Sequence, residues 1–144
     1  MSLSGTYDRN LDAKGRLSLP PAFRKEFGDQ VRVLAAPEKE IDAMYVFTKD
    51  AFEDWVMSVF EAKGGFDPTN KQHRLVKEGL YGVATTLDID SVARISLPES
   101  VREEAHLDRE VTIVGNDDRL VVWDRSKHLA RKAETKAALE DFFN

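Results

Sequence analysis

The stretch LDAKGRLSLPPAFR, from Leu11 to Arg24, is repeated 78 residues later as IDSVARISLPESVR, from Ile89 to Arg102. The two stretches share Asp, Arg, Ser, Leu, Pro and the final Arg, and apolar residues match at the first, seventh and thirteenth positions. Self-similarity of this kind has to be recognised before any local prediction, because it determines the architecture. The chain is therefore predicted to consist of two copies of one unit.

The similarity continues downstream of both stretches. VRVLAA at 31–36 corresponds to VTIVGN at 111–116, and MYVFTKD at 44–50 resembles LVVWDRS at 120–126. Each half supplies about three or four short strands, and sheets of that size are marginal in water on their own. The two halves are expected to interlock into one body.

Each repeated stretch predicts a strand followed by a short helix. Leu17 and Leu19 flank a serine, which is the alternation of a half-buried strand. The prolines that follow preset φ for a helix start, and Gly28 is the expected C-terminal cap. The second copy repeats this pattern with Pro98 and Val101 but without the glycine.

Two strands and a longer helix are predicted to complete each half. The strands are expected at 31–35 and 44–47 and again at 111–114 and 120–123, with a hairpin turn at 115–118. The first long helix is predicted to begin at a capping box of Asp50 and Glu53 and to end at Gly64. Ser126 is the expected cap of the last helix.

A linking helix is predicted from Pro68 to about Tyr81. Its buried candidates are Leu75, Val76 and Leu80, and its exposed face carries Lys71, Arg74 and Lys77. The predicted organisation is a first repeat at 1–64, the linking helix at 65–82, a second repeat at 83–126 and a C-terminal helix at 127–144. These parts are expected to form one compact unit.

Composition favours a globular protein that does not enter a membrane. Of the 144 residues, 42% are hydrophobic and 33% are charged, and no apolar run approaches the roughly 18 residues that span a bilayer. The start, MSLSGTYDRN, lacks the basic and apolar regions of a secretory signal, and the chain has no cysteine. We therefore expect a cytoplasmic location.

Charge is distributed unevenly along the chain. The net charge is −5, which argues against a surface of general positive potential that would bind nucleic acid nonspecifically. Residues 1–32 nevertheless hold six Lys or Arg against four Asp or Glu, whereas the remainder holds 15 against 22. A small local excess of positive charge is usually part of a solvated surface, so charge alone does not indicate a binding site in residues 1–32.

Signatures of catalysis and cofactor binding are missing from the sequence. His73, His106 and His128 stand singly, each expected on the surface, and no zinc, phosphate-loop or nucleophile-elbow pattern occurs. No cofactor, metal or catalytic residue is predicted.

One acidic constellation leaves an enzymatic alternative open. Asp88, Asp90 and Glu99 fall at positions 1, 3 and 12 of a calcium-loop spacing, but Val92 and Ala93 stand where an oxygen ligand and a glycine belong. An enzyme that uses these carboxylates with a metal remains an alternative.

The segment DAKGR, residues 12–16 and here called the first tip, is the candidate binding feature. Gly15 can take a positive φ and make a sharp turn, so that Lys14 and Arg16 project beside it. A guanidinium pairs bidentately with phosphate or with the O6/N7 edge of guanine, and Asp12 would orient a cation by a salt bridge. The alternative is a purely structural turn whose arginine pairs with the aspartate inside the protein.

The two repeated stretches, together with VGNDDRLVVWD from Val114 to Asp124, resemble the MraZ family of bacterial transcriptional regulators of the division and cell wall gene cluster. The resemblance covers nearly the whole chain. It implies an α+β fold in which two tandem AbrB-like repeats form an interlocked swapped-hairpin β-barrel, flanked by short and longer helices. It also implies ring-shaped homo-oligomers of about eight or more subunits, associated with the nucleoid, that bind tandem short repeats in double-stranded promoter DNA.

Carried over by the resemblance, the DNA-binding residues of the first tip are Asp12, Lys14, Gly15 and Arg16. Arg16 is the principal contact and Lys14 its companion, and Arg9 is added as a nearby candidate.

In residues 90–94, here called the second tip, only Asp90 and Arg94 match. Val92 stands in place of the lysine and Ala93 in place of the glycine, which puts the turn geometry in question. The first tip is expected to do most of the reading. The alternative within the fold is an AbrB-like antitoxin or interaction protein whose C-terminal helix holds a partner.

Overall fold

A computed structural model describes residues 2–144, which form two successive copies of a β-β-α-β-β-α unit. The first half contains β1 (Thr6–Asn10), β2 (Arg16–Ser18), α1 (Pro21–Phe27), β3 (Gln30–Ala35), β4 (Ala43–Phe47) and α2 (Lys49–Ser58). A 3-10 turn (Glu61–Lys63) and α3 (Lys71–Val83) lead to the second half. That half contains β5 (Thr85–Asp88), β6 (Arg94–Ser96), α4 (Glu99–Glu104), β7 (Glu110–Asn116), β8 (Arg119–Asp124) and α5 (Arg125–Phe142). The predicted two-copy, mixed α+β organisation is confirmed.

The halves interlock by exchanging strands. A six-stranded antiparallel sheet has the order β1-β7-β8-β4-β3-β5, so the first strand of each half pairs with the third strand of the other half. The central pair, β4 with β8, joins the halves. β2 and β6 form a separate two-stranded antiparallel ribbon. The predicted barrel is not closed, because among the strands within residues 2–144 no ladder joins the edge strands β1 and β5.

Apolar side chains cover both faces of the large sheet. On one face Leu17 and Ile95, both fully buried, carry the ribbon into a core shared by both halves. On the other face the aromatic residues of α2 pack against β4, with the Phe47 ring 5.1 Å from the Trp55 ring. The ribbon is therefore anchored on a rigid support by its own buried side chains.

The long helices begin at different residues from those predicted. Thr48 caps α2, because its hydroxyl accepts the Ala51 N–H at 3.1 Å, and the expected cap at Asp50 is wrong. α2 already ends at Ser58. α5 starts at Arg125 directly after β8, which places Ser126 inside the first turn, and its hydroxyl donates to Asp124 at 2.6 Å. The predicted cap at Ser126 is therefore also wrong.

The linking helix begins three residues later than predicted and buries a histidine. Asn70 caps α3 by accepting the His73 N–H, so the helix begins at Lys71 and not at Pro68. His73, expected on the surface, is buried against Phe60, and its Nδ1 accepts the Asp67 N–H at 3.0 Å.

The burial expected along α3 is only partly confirmed. Leu80 is buried as predicted, whereas Leu75 and Val76 are 54% and 39% exposed. The side of α3 that carries His73 and Leu80 faces the α2 core, which leaves the other two side chains outside.

α5 leaves the body of the protein after its first turns. Among the described side chains of α5 none is buried, and Phe142 and Phe143 at the end of the chain are 83% and 78% exposed. Searched over residues 2–144, the helices include none that is long and apolar enough to cross a membrane.

Candidate functional site

The first tip is a turn built around the carboxylate of Asp12. Its Oδ1 accepts the backbone N–H groups of Lys14 and Arg16, both at 2.9 Å, and its Oδ2 accepts the Nε–H of Arg16 at 2.5 Å. The Gly15 N–H donates to the Asp12 carbonyl at 2.9 Å, and Gly15 takes the left-handed φ of +75°. One aspartate thus fixes both the backbone of the turn and the orientation of an arginine.

The second tip repeats this arrangement bond for bond. Oδ1 of Asp90 accepts the N–H groups of Val92 and Arg94 at 3.0 and 2.9 Å, and Oδ2 accepts the Arg94 Nε–H at 2.9 Å. Ala93 takes a φ of +63°, a conformation that costs an alanine about 1–2 kcal/mol. The expectation that Ala93 disturbs the turn is wrong, because the hydrogen bonds to Asp90 hold the alanine in the left-handed region.

The ribbon joins the two tips into one outward-facing surface. Leu17 pairs with Ile95 at its centre, and Arg16 and Arg94 stand at opposite ends, each across from a serine. Because successive side chains of a strand point to opposite faces and the two central residues are buried, both arginines lie on the outer face. The Leu97 N–H donates to the Gly15 carbonyl at 3.0 Å, so each tip is also fastened to the opposite strand.

Both guanidinium groups are positioned to receive a ligand. The side chains of Arg16 and Arg94 are 30% and 32% exposed. Each is held through Nε alone, and within residues 2–144 neither Nη atom of either arginine makes a hydrogen bond. A guanidinium whose two Nη groups have no hydrogen-bond partner within residues 2–144 can donate to a phosphate or a guanine edge.

Hydrogen bonds lower the pKa of both tip aspartates below the usual 3.8. The largest contribution to the lower pKa comes from the backbone N–H of Arg16 for Asp12 and from that of Arg94 for Asp90, and each guanidinium contributes further. Because each carboxyl has a lower pKa in the folded protein than in the unfolded chain, its ionised form stabilises the fold at pH values above the unfolded-state pKa. This stabilisation is lost as the pH falls through the folded-state pKa. At neutral pH both aspartates are therefore ionised and contribute their full stabilisation to the turns.

The two tips differ in charge and in their neighbours. Lys14 of the first tip is replaced by the exposed Val92 in the second. A Cβ placed on Gly15 would lie 3.0 Å from Cζ and Nε of Arg102, which reaches over from α4. Its repeat counterpart, Arg24, instead donates to the Gly28 carbonyl. Arg102 is thus a third cation at the first tip.

Sequence reasoning missed Arg102, although a signal for it was present. The residue is the last arginine of the second repeated stretch. Its approach to Gly15 depends on the interlocking of the halves, which places α4 of one half beside the tip of the other. The sequence-predicted Arg9 lies on β1, where its guanidinium is 5.6 Å from the Tyr7 ring centroid and donates to the Asp8 carbonyl.

The carboxylates of the calcium-loop spacing serve separate partners. Asp88 accepts from Gln30 Nε2 at 2.8 Å, and the oxygens of Asp90 are taken by the second tip. In the part of the chain that the structure describes, no three His, Asp or Glu side chains are grouped as metal ligands.

Comparison with known proteins agrees with the two-copy organisation. The model of a family described as "MraZ protein, putative antitoxin-like" matches residues 2–62, in the first half, and 80–141, from the last turn of α3 through the second half. A relative named transcriptional regulator MraZ, from Alkaliphilus metalliredigens (strain QYMF), is 32% identical over 120 residues, covering 83% of this chain and 78% of its own length. From the match across both halves and this identity, the chain belongs to the MraZ family.

Proposed function

We propose that this protein is a sequence-specific DNA-binding transcriptional regulator that reads DNA chiefly with its first tip. The observation that carries the proposal is the pair of arginines oriented by aspartates on the outer face of one ribbon. The relative from Alkaliphilus is named a transcriptional regulator. By the resemblance stated above, the regulated genes are the division and cell wall cluster, and the protein works in the cytoplasm at the nucleoid.

The proposed fold family is AbrB-like with swapped hairpins. It is supported by the exchange of β1 and β5 between the halves, which makes one chain equivalent to a dimer of repeats. In this scheme 1–64 and 83–126 are the repeats, 65–82 links them and 127–144 is an appended helix.

The two-stranded ribbon is the kind of element that the major groove of DNA admits. Arginine is the side chain that most often contacts guanine there. In this mechanism Arg16 contacts a base edge, Lys14 contacts phosphate, and Asp12 acts as a positioning residue. The positive φ of Gly15 keeps the turn tight enough for both cations to project together.

Useful affinity is proposed to require several subunits. A net charge of −5 and two small tips provide few phosphate contacts, so a homo-oligomeric ring of about eight or more subunits would bind tandem boxes together. Boxes about 10 bp apart would present the same face of DNA to neighbouring subunits. Exposed apolar side chains at the end of α2, just after it and on α3 supply a candidate contact between subunits: Met57, Val59, Leu75, Val76 and Val83.

A footprint on the DNA upstream of the protein's own gene tests the proposal. The expected result is protection of several short repeated boxes at a spacing near one helical turn. Uniform protection without repeated boxes, or no protection at salt concentrations where the ring is intact, would overturn it.

An interaction protein is the second candidate, and one observation favours it. The far end of α5 displays Leu139, Phe142 and Phe143 to solvent, which is an apolar surface that a partner could cover. Co-expression with the product of the adjacent gene tests this function. Formation of a stable complex that is lost when Phe142 and Phe143 are replaced by serine would support it.

A further inference from the structure

α2 and α5 are equivalent helices that cover equivalent parts of the sheet. Each starts directly after the fourth strand of its half, at Lys49 and at Arg125, so equivalent positions are 76 residues apart. In α2 the side chains that face the sheet are Phe52, Trp55 and Val56, all buried. This is the ordinary way in which an amphipathic helix closes a core.

The matching positions of α5 carry a histidine and two cations. Phe52 corresponds to His128, Trp55 to Arg131 and Val56 to Lys132. With Thr135, these three side chains line a cleft of about 310 Å³ between α5 and the sheet. The floor of the cleft is largely apolar and includes Ile41, Tyr45, Val114, Val121 and Trp123.

An aromatic stack in the first half is thereby replaced by a cation in the second. The Phe47 and Trp55 rings are stacked at 5.1 Å. At the equivalent place the Arg131 guanidinium lies 5.4 Å from the Trp123 ring centroid. α5 also leaves Leu129 exposed to solvent while its cations face the apolar floor. Such a reversal of the usual pattern marks a site with a role other than core packing.

Three carboxylates lie near the cleft, and within residues 2–144 none of them makes a hydrogen bond to Arg131 or Lys132. Glu38 accepts the Tyr45 hydroxyl at 2.6 Å, and Asp8, whose charge acts on His128, accepts the Thr112 hydroxyl at 2.8 Å. Glu134 is exposed and approaches Arg131 only to 3.7 Å. Burial lowers the pKa of His128, which leaves its imidazole neutral and able to donate or accept a hydrogen bond. The rim therefore combines two permanent cations with neutral polar groups above an aromatic floor.

We propose that this cleft binds a small organic anion with a flat apolar body. The apolar body would enter the cleft beside Trp123, which is 7% exposed, and the anionic group would pair with Arg131 and Lys132. Pockets of a few hundred Å³ with an apolar lining and a few directed polar groups are typical of small-molecule sites. The inference is independent of the proposed DNA binding.

Phenyl phosphate is a suitable probe because it joins an aromatic ring to an anion. Phenol, which has only the ring, and inorganic phosphate, which has only the anion, are its controls. The chain has two tryptophans, so Trp55→Phe leaves Trp123 as the sole tryptophan, which can be excited selectively over the three tyrosines. Saturable quenching by phenyl phosphate is expected, and phenol and inorganic phosphate should each bind at least about tenfold more weakly. Because Trp55 belongs to the core, a thermal shift of the unaltered protein with the same three probes provides a second measurement.

Lys132→Glu and Lys136→Glu form a matched pair on one helix, since Lys136 is exposed and is not part of the cleft lining. The first is expected to weaken binding at least about tenfold and the second less than about twofold. Absence of saturation, equal binding by inorganic phosphate alone, or equal binding by both variants would overturn the proposal. A change of oligomer mass in Lys132→Glu without any probe response would show a contact between copies instead.

Discussion

Exchanging glycine and alanine at the two positions with positive φ tests the turn geometry of the tips. Gly15 and Ala93 have φ values of +75° and +63° in turns with the same hydrogen bonds. An alanine in this conformation loses about 1–2 kcal/mol, and the smaller freedom of its unfolded chain returns about 0.4–1 kcal/mol. Gly15→Ala should therefore destabilise the protein by about 1 kcal/mol, with a further contribution from displacing Arg102. Ala93→Gly should stabilise it by about 0.5–1 kcal/mol.

Urea unfolding followed by circular dichroism at one fixed protein concentration measures both changes. Gly79→Ala is the control, since Gly79 lies inside α3 and a Cβ there meets nothing within 4 Å among the described residues. Alanine is the better helix former, so this variant should be more stable by about 0.5–1 kcal/mol. A Gly15→Ala protein as stable as the unaltered chain, or an Ala93→Gly protein less stable than it, would show that the left-handed backbone at these positions does not carry the stated cost for alanine.

Three further outcomes are expected. The carboxyls of Asp12 and Asp90 should titrate below pH 3.8 by NMR because of the N–H donors around them, and midpoints at or above that value would contradict the turn geometry. If Arg102 adds a phosphate contact to the first tip, Arg102→Ala should reduce the slope of log affinity for DNA against log salt by about 0.9 per engaged tip, whereas Arg24→Ala should not change it. Leu75→Asp should lower the oligomer mass in light scattering, and an unchanged mass would remove α3 from the subunit contact.

The repeat made the architecture largely predictable. Matching stretches at 11–24 and 89–102 required two equivalent units, and short strands required that the units share a core. The residue patterns alone did not predict the exchange of β1 and β5, because these strands pair with residues about 100 and about 55 positions away in the sequence. Separation in the sequence also hid Arg102, whose place beside Gly15 exists only after the halves interlock.

Local chemistry was predictable where one residue decides it. Asp12 and Arg16 were expected to pair, and they do. Ala93 was misjudged because its side chain disfavours a positive φ, whereas three hydrogen bonds to Asp90 compensate for that cost. His73 was misplaced because an imidazole that accepts a backbone N–H can be buried, and its sequence neighbours do not reveal that partner.

The affinity of Arg16→Ala for the footprinted boxes tests most directly whether Arg16 recognises DNA. A bidentate arginine contact is worth about 1–3 kcal/mol, so the loss of two engaged tips costs about 2–6 kcal/mol, or roughly 30-fold and more. Arg16→Ala should lose at least that much while keeping its circular dichroism spectrum and oligomer mass, and Arg94→Ala should lose less. Binding by Arg16→Ala within about twofold of the unaltered protein would contradict the account, as would an equal or larger loss in Arg94→Ala.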